Sequence, residues 1–323
     1  PPNTGGRIRT LNLLKRLARR HRITLLAHRT PGWDRAAAAL EALGLACVGV
    51  ERGRGAARSG WRFYAALLAN LASRRPYSCA LQASPAMAEA VAELERSGRV
   101  DLWQLESVFL ADCLAGRTAP LLLTAHNVEA VIWERLADVE ANPLKRLFLR
   151  VQGRKVRAFE RRSFAAADGV VAVTDLDAEA IGGELGAGRV AVVDNGVDAA
   201  YFEAVEPRPD PSRFVFLGSL DWRPNLDAVD VLLDRIRPLV LAEVPDAVFE
   251  VVGRRPPEAL VRRAAGLEGV ELHADVPDVR PHLARGAALV VPLRVGGGSR
   301  LKILEALACG VPVVSTGVGG GGL

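Results

Sequence analysis

The chain of 323 residues is poor in the features that mark secreted, zinc-binding and membrane-spanning proteins. Its four cysteines stand far apart without a Cys-x-x-Cys pair, so the sequence suggests neither a zinc site nor a disulfide framework. The longest apolar runs, such as PLLLTA and AALVVPL, are far shorter than the roughly 20 residues of a membrane-spanning helix. We therefore expect a protein of the reducing cytoplasm that has no transmembrane segment.

Aromatic residues are also scarce, at 5% of the chain, and no nucleic-acid motif accompanies the small net charge of +5. Positive charge is concentrated in residues 142–164, NPLKRLFLRVQGRKVRAFERRSF, which hold eight Lys or Arg and one Glu. This pattern is typical of a solvated surface helix. The next interpretation is a helix that binds anionic membrane lipid, and nucleic acid ranks last. We expect no nucleic-acid partner.

Short apolar or β-branched runs alternate with longer helical patterns along the whole chain. The first half contains ITLLA, ACVGV, VDLWQLE, PLLLTA, GVVAV and RVAVV, and the second contains FVFLG, AVFEVVG, VELHA, AALVVPL and PVVST. This alternation predicts an α/β fold with two parallel sheets joined by helical crossovers. Residues 193–213 are dense in Pro, Asp and Asn-Gly turn signals, which places the domain boundary near residue 205. The predicted domains are 1–205 and 206–323.

The loop RVGGGSR follows a predicted strand, at the edge where open parallel sheets bind ligands. Gly296, Gly297 and Gly298 leave backbone N–H groups free to approach an anion, and the next helix adds its positive amino-terminal end. The basic side chains around this loop are Arg294, Arg300 and Lys302. The combination indicates a phosphate or diphosphate site, although a glycine run by itself more often serves only a tight turn.

The helix after this loop carries a glutamate on its predicted apolar face. If Ser299 caps the helix and Gly310 ends it, rotation by 100° per residue predicts one inward stripe. The stripe consists of Leu301, Leu304, Glu305 and Ala308. An ionised carboxylate on such a face needs a partner. Two partners remain open: the hydroxyls of a bound ribose, or Lys302 or another basic side chain from a neighbouring loop.

Four blocks of the sequence together resemble glycosyltransferase family 4. They are PLRVGGGSRLKILEALACGVPVVST, DNGVDAAYF, FLGSLDWRPNLDAV and TAHNVEAVIWERLADVEANPLKRLFLRVQGRKVRAFERRSF. The resemblance implies the GT-B architecture, in which two Rossmann-like domains face each other across a cleft. It also implies that the carboxyl-terminal domain binds a nucleotide-sugar, and that transfer retains the anomeric configuration without a metal ion.

Carried over to this sequence, the resemblance makes Glu305 the ribose ligand. It also marks departures, because the family's other donor-side glutamates fall at Gly297 and Gly321, and its usual basic pair falls at Ser219 and Pro224. The diphosphate charge is then expected to be met by other groups. The residues expected to bind the donor or to stabilise the leaving diphosphate are Gly218, Arg223, Arg254, Gly296, Gly297, Gly298, Ser299, Arg300 and Lys302.

In the amino-terminal domain, PPNTGGRIR resembles the family's first glycine loop, which would place Gly5 and Gly6 near the diphosphate and the acceptor. His126 resembles a histidine that follows a strand and contacts the donor sugar; from the residues alone, a capping or packing role is equally open. The strand that precedes the glycine loop in the family is missing. Because the chain starts at Pro1 and stops in a glycine-rich run, we interpret it as a fragment that also lacks the carboxyl-terminal helices.

The resemblance implies a retaining, metal-independent hexosyltransferase that uses a nucleoside-diphosphate sugar as co-substrate and no cofactor. The expected acceptor is a glycan or lipid-linked hydroxyl in polysaccharide or glycolipid synthesis, with His126, Arg300 and Lys302 as catalytic residues. We expect a cytoplasmic protein that contacts the anionic inner face of the membrane. Two alternatives remain: a GT-B nucleotide-sugar epimerase, and a noncatalytic partner that binds nucleotide-sugars.

Overall fold

A computed structural model of the chain describes residues 5–51, 60–82 and 84–323. The described residues form two compact units. The first falls within Pro1–Ala137 and Ala141–Val193, and the second comprises Asp138–Glu140 and Asp194–Leu323. No helix in the described ranges is long and apolar enough to cross a membrane. The predicted segment PPNTGGRIR is described only from Gly5 onward, since its first four residues lie outside these ranges.

The first unit alternates strands and helices as its sequence pattern predicts. Its strands are β1 (Ile23–His28), β2 (Leu45–Val50), β3 (Trp103–Leu105), β4 (Leu121–Ala125), β5 (Gly169–Ala172) and β6 (Val190–Val192). Its helices are α1 (Gly5–Leu17), α2 (Trp33–Glu41), α3 (Gly60–Leu71), α4 (Tyr77–Gln82), α5 (Pro85–Arg96), α6 (Glu129–Val139), α7 (Pro143–Ala165) and α8 (Asp175–Gly182), with a 3₁₀ turn at Val108–Leu114. All strand pairs are parallel.

Among the described residues, the strands of the first unit form two sheets rather than the single sheet that the sequence pattern predicts. β1 pairs with β2, while β3, β4, β5 and β6 form a separate sheet in that order. β3 has only three residues, so it has few backbone N–H and C=O groups that could pair with another strand. The core of this unit lies around β4, where Leu123 is fully buried together with Val156 of α7 and Ala172 of β5.

The second unit contains one five-stranded parallel sheet. Its strands are β7 (Asp210–Leu217), β8 (Val248–Gly253), β9 (Val270–Ala274), β10 (Gly286–Val291) and β11 (Val313–Ser315). Its helices are α9 (Ala199–Glu203), α10 (Arg223–Val231), α11 (Arg237–Glu243), α12 (Glu258–Ala265), α13 (Arg280–Arg285), α14 (Leu301–Ala308) and α15 (Gly317–Gly320), with a π-helical turn at Leu232–Ile236. The strand order is β11-β10-β7-β8-β9. The strand order therefore reverses at β7, because β8 and β9 follow on one side of it and β10 and β11 on the other. Such a reversal is where doubly wound folds bind ligands.

The segment between the two sheets packs with the second unit. Phe202 of α9 belongs to the hydrophobic core that includes Phe216, Phe249 and Leu289, and its carbonyl accepts a bond from the Cys309 thiol at 3.7 Å. This contact lies on the amino-terminal side of residue 205. The chain therefore joins the core of the second unit at Phe202, within the turn-rich residues 193–213 that suggested the boundary.

The basic segment forms the longest helix of the described residues, α7. Asn142 caps it by accepting hydrogen bonds from the backbone N–H groups of Leu144 and Lys145, at 3.0 and 3.1 Å, and Pro143 occupies the first helical position. The single acid of the helix, Glu160, is fully buried and accepts bonds from the N–H groups of Glu129 and Ala130. This carboxylate thus caps α6 and fixes the start of that helix, directly after the loop that carries His126.

Candidate functional site

A close backbone approach marks the carboxyl end of β7, at the point where the strand order reverses. Gly218 follows β7, and a Cβ atom at this position would lie 2.9 Å from the Asn225 side chain and 3.0 Å from the Lys302 ammonium nitrogen. Glycine is therefore the residue that leaves room here. Lys302 Nζ donates to Asn225 Oδ1 at 3.2 Å and lies 4.8 Å from the centre of the Phe216 ring. The site thus gathers side chains from β7, α10 and α14 around one ammonium group.

Lys302 forms no ion pair with a carboxylate within the described ranges. Burial lowers the pKa of Lys302 to about 7, helped by repulsion from Arg300 and partly opposed by Glu305. A poorly solvated ammonium that lacks a counter-charge is a position where an anionic ligand gains affinity. The arrangement can therefore bind a phosphate or diphosphate.

Arg300 is not the mobile cation that its position in the loop suggested. Its side chain is buried, and its guanidinium donates to the carbonyl oxygens of Gly297, Gly298 at 3.0 Å and Val318 at 3.4 Å. Gly298 has a positive φ of 65°, a conformation that glycine adopts without strain. Arg300 therefore holds the glycine loop in shape from inside.

The start of α14 also differs from the prediction. Arg300 is the capping residue by position, whereas the predicted cap, Ser299, accepts a hydrogen bond from Asn195 Nδ2 at 2.5 Å. The predicted end is confirmed, since Gly310 follows the helix with φ of 71°. Ser299 was predicted from its residue type, but its hydroxyl has a long-range partner instead.

The core-facing side of α14 lies opposite the predicted stripe. Ile303 and Ala306 are the buried residues of the helix. Because a helix turns by about 100° per residue, Lys302 lies beside this buried face. The predicted stripe of Leu301, Leu304, Glu305 and Ala308 is only half-buried. The spacing of the apolar residues could not identify the buried face, because both faces of the helix are rich in apolar residues.

Glu305 nevertheless lies in a poorly solvated position. Burial raises the pKa of the Glu305 carboxyl, and the charge of Lys302 partly offsets this rise. In the part of the chain that the structure describes, no hydrogen bond or ion pair to this carboxylate is formed. Lys302 turns instead toward Asn225, so the alternative of a Lys302–Glu305 ion pair is not what the structure contains.

The other predicted guanidinium groups already have partners in the second unit. Arg254 donates to Ser219 Oγ at 2.6 Å and lies 3.4 Å from Asp221 Oδ1. Arg223 pairs with Glu140, and Arg294 pairs with Asp227, its Nε lying 3.0 Å from Oδ2. These ion pairs reduce the free positive charge of the region. Among these basic side chains, Lys302 remains as the group best suited to an anion.

In the first unit, a hydrogen-bond network surrounds the predicted histidine. His126 follows β4, and its Nε2 lies 3.1 Å from Glu106 Oε2. The same carboxylate accepts bonds from Thr10 at 2.7 Å and Gln104 at 2.6 Å, and Thr124 lies 3.2 Å away. Burial opposes charge on Glu106, but its hydrogen bonds, the largest from His126, outweigh this and lower its pKa to about 2. Glu106 is therefore ionised and orients the imidazole.

Gly5 and Gly6 begin helix α1 rather than an open loop. A Cβ atom on Gly6 would lie 3.7 Å from the His126 ring, so the structure does bring Gly6 and His126 together. His126 also lines a cavity of about 50 Å³. It is lined by Glu106, Ser107, Val108, Thr124, Ala125, His126, Asn127, Glu129 and Phe164.

Sequence reasoning did not single out Glu106, Asn225 or Phe216. Glu106 ends the predicted strand run VDLWQLE, and Asn225 lies in the quoted loop LGSLDWRPN, so both were at predicted carboxyl ends of strands. A systematic search of strand ends for polar side chains would have found them. Phe216 gives no such signal, since its role depends on the position of Lys302 across the sheet.

Two family descriptions match this chain. Glycosyltransferase Family 4 matches residues 3–201, and Glycosyl transferases group 1 matches residues 211–322. The curated D-inositol 3-phosphate glycosyltransferase of Actinosynnema mirum is 33% identical over 231 residues, which cover 62% of this chain and 51% of that protein. The chain thus spans about half the length of this relative.

Solved structures show the same fold at low sequence identity. Anabaena HepE, solved in complex with UDP and glucose, has a TM-score of 0.60 and 15% identity, covering 98% of this chain and 78% of that chain. Sucrose-phosphate synthase from Thermosynechococcus elongatus has a TM-score of 0.59 and 16% identity, covering 93% and 82%. Two parallel-sheet α/β units of the GT-B type therefore account for the fold. Because the family 4 match extends over more than half of its residues, the chain belongs to glycosyltransferase family 4.

Proposed function

We propose that this protein transfers a hexosyl unit from a nucleoside-diphosphate sugar to a hydroxyl group of a glycan or lipid-linked acceptor, with retention at the anomeric carbon. The observation that carries the proposal is the Lys302 ammonium, which is held beside Gly218 and Asn225 at the strand-order reversal without a carboxylate partner among the described residues. Family membership and the UDP-sugar complexes of HepE support a nucleotide-sugar donor. The name of the Actinosynnema relative supports a hydroxyl acceptor.

In this mechanism the protein contributes electrostatics and positioning. The acceptor oxygen attacks the anomeric carbon while its bond to the diphosphate oxygen breaks, and the bonding electron pair stays with the diphosphate, so negative charge develops there in the transition state. The departing diphosphate oxygen then takes the proton that the acceptor hydroxyl loses. Lys302 and the glycine-loop N–H groups stabilise that charge, and Arg300 keeps the loop in shape for it. Glu305 binds the ribose hydroxyls. His126, oriented by Glu106, positions the sugar. No step requires a metal ion.

Glu305→Gln tests the donor site. The amide keeps the shape of the side chain but loses charge-assisted bonds of roughly 1.5–3 kcal/mol each, so affinity for a UDP-sugar should fall about tenfold or more. The Tm should not fall, since the variant removes a poorly solvated carboxylate without a bond to break. Isothermal titration and thermal unfolding measure the two effects.

The matched control is Glu258→Gln, an exposed glutamate on α12 in the same unit, which should bind like the parent. A 2′-deoxyribose donor should bind the parent more weakly, but lose much of that disadvantage in Glu305→Gln. A variant that melts earlier and binds donors normally would show that Glu305 serves the fold instead.

The Lys302 site predicts a pH-dependent donor affinity. Because the pKa of Lys302 is lowered to about 7, about half of the free protein carries a neutral amine at pH 7. A bound diphosphate favours the ammonium form, so binding takes up a proton, and affinity should fall up to about tenfold per unit as pH rises above 7. A UDP-sugar is the appropriate ligand, since its diphosphate is a diester that stays ionised over this range.

Lys302→Arg provides the comparison, because a guanidinium stays charged and should flatten the slope between about pH 6.5 and 8.5. Lys145→Arg, an exposed change on α7, should leave the parental slope in place. Equal slopes in the parent and in Lys302→Arg would assign the pH dependence to another group.

Transfer itself is tested with His126→Ala and Glu106→Gln. His126→Ala should reduce kcat about tenfold or more while donor affinity changes little, because the ring acts on the transferred sugar. Glu106→Gln should give a smaller loss of kcat, since Gln keeps some orienting bonds. The exposed His21→Ala serves as control. Parental rates in His126→Ala would leave that residue with a packing role.

The product distinguishes the proposed transferase from the two alternatives. A retained glycoside of the acceptor identifies a transferase, and an altered sugar-nucleotide without acceptor identifies an epimerase. A protein that binds donors but neither transfers nor hydrolyses them would be a noncatalytic partner. Each outcome is read by mass spectrometry and NMR of the products.

We further place the protein at an anionic membrane surface, through the first half of α7. There Leu144 and Leu147 are 78% and 61% exposed, next to the exposed Lys145, Arg150 and Arg154. Exposed leucines beside basic side chains are typical of helices that bind lipid interfaces. The second half of the helix is less suitable, because its basic groups bind carboxylates and carbonyls of the same unit. These pairs are Arg157 with Glu134 and Glu184, Arg162 with Asp112, and Lys155 with the Asn70 carbonyl.

Reversing Lys145, Arg150 and Arg154 to Glu should abolish sedimentation with phosphatidylserine-containing vesicles, and added salt should weaken binding by the parent. The matched control reverses Arg16, Arg19 and Arg20, which are exposed basic residues outside α7 and change the net charge equally. Equal loss in both triple variants would indicate an effect of net charge only, and salt-independent binding would rule out this surface.

A further inference from the structure

A fully buried carboxylate in the second unit faces two histidines that play no part in the proposed function. Glu250 lies within β8 and is 0% exposed. His273 lies on the neighbouring strand β9, and His282 lies on α13. Three separate elements thus direct the side chains of an N, N, O donor set toward one point.

The geometry is that of converging ligands. One oxygen of Glu250, Oε1, contacts His282 Nδ1 and lies 3.4 Å from His273 Nε2. The three donor atoms all fall within 4.8 Å of one another. Zn²⁺ binds imidazole nitrogen and carboxylate oxygen at about 2.0–2.2 Å, which separates two tetrahedral ligands by roughly 3.3 Å. The 3.4 Å between Oε1 and His273 Nε2 fits two ligands of one ion, whereas His282 Nδ1 contacts Oε1 directly and has to move away from it to share the ion.

The neighbours of Glu250 hold its carboxylate in place mainly through its second oxygen, Oε2. Its second oxygen, Oε2, accepts a bond from Arg213 at 3.0 Å, and Arg213 also binds Glu271 at 2.7 Å and lies 3.6 Å from Asp210. Such outer partners fix a ligating carboxylate in place. Arg285 lies 3.3 Å from Oε1, but its side chain is half exposed and can turn to solvent.

The local charge balance favours a cation. Three carboxylates, those of Glu250, Glu271 and Asp210, face two guanidinium groups, so with neutral imidazoles one negative charge is in excess. A protonated histidine or a metal ion can supply the missing charge. Each neutral imidazole can donate its own N–H to the shared oxygen, and the same nitrogens and oxygen form a donor set that suits Zn²⁺ when those protons are lost.

We propose that Glu250, His273 and His282 form a binding site for one divalent transition-metal ion, with Zn²⁺ as the best match to this donor set. The ion is bound by three protein ligands, and its fourth position faces solvent past the partly exposed His273 ring. It links β8, β9 and α13, and uses no residue of the donor site. Its effect is on the stability of the second unit, independent of sugar transfer.

The test uses the full chain, stripped with a chelator and dialysed against micromolar ZnCl₂. The parent should retain one zinc per chain, and its Tm should rise with zinc concentration. His273→Gln and His282→Gln should each weaken zinc binding about tenfold or more, because each removes one ligand while keeping a side chain of similar polarity. His21→Ala, an exposed histidine elsewhere, is the matched control and should bind zinc like the parent.

Co²⁺ gives a second readout that does not depend on stability. The parent should show the visible absorption of tetrahedral Co²⁺, and the double variant His273→Gln/His282→Gln should lose it. Circular dichroism checks that the variants fold. A parent that binds no zinc at micromolar concentration, or a double variant that binds it as tightly as the parent, would overturn the proposal and leave these groups as a histidine–carboxylate hydrogen-bond network.

Discussion

Buried charge has to find a partner, and this constraint shapes every candidate site in the molecule. Arg300 satisfies it with backbone carbonyls and thereby fixes the glycine loop. Glu106 satisfies it with His126 and its neighbours, whereas burial raises the pKa of Glu160 to about 8, so this acid accepts the N–H bonds of α6 in a largely neutral form at pH 7. In each case the partner is a group whose position matters for the site. The charged side chains thus stabilise the fold and set the geometry of the loops at the same time.

Lys302 is the exception, because its ammonium has no carboxylate partner among the described residues. Its neighbours are Asn225 and the face of Phe216, which solvate an ammonium only weakly. The nearby Arg254 and Arg294 are already matched by Asp221 and Asp227. Positive charge is therefore concentrated on one group at the strand-order reversal.

The sequence predicted much of this architecture, because strands and caps depend on local residue patterns. All eleven apolar runs are strands, and Asn142 caps the basic helix as its residue type favours. His126 was placed at a strand end by resemblance, and the structure locates it there beside Gly6. The orientation of α14 was predicted incorrectly, because the helix has apolar residues on both faces and the periodicity of the pattern is the same for either.

By itself, the sequence determined the α/β class, the family, the positions of the strands and the glycine loop that follows β10. These depend on residue order over short distances. Only the tertiary structure decided that Arg300 binds carbonyls, that Lys302 turns to Asn225, and that Glu106 orients His126. Each of these choices is a competition between partners far apart in the chain. Burial and distance decide which partner is bound, and the local residue pattern specifies neither of them.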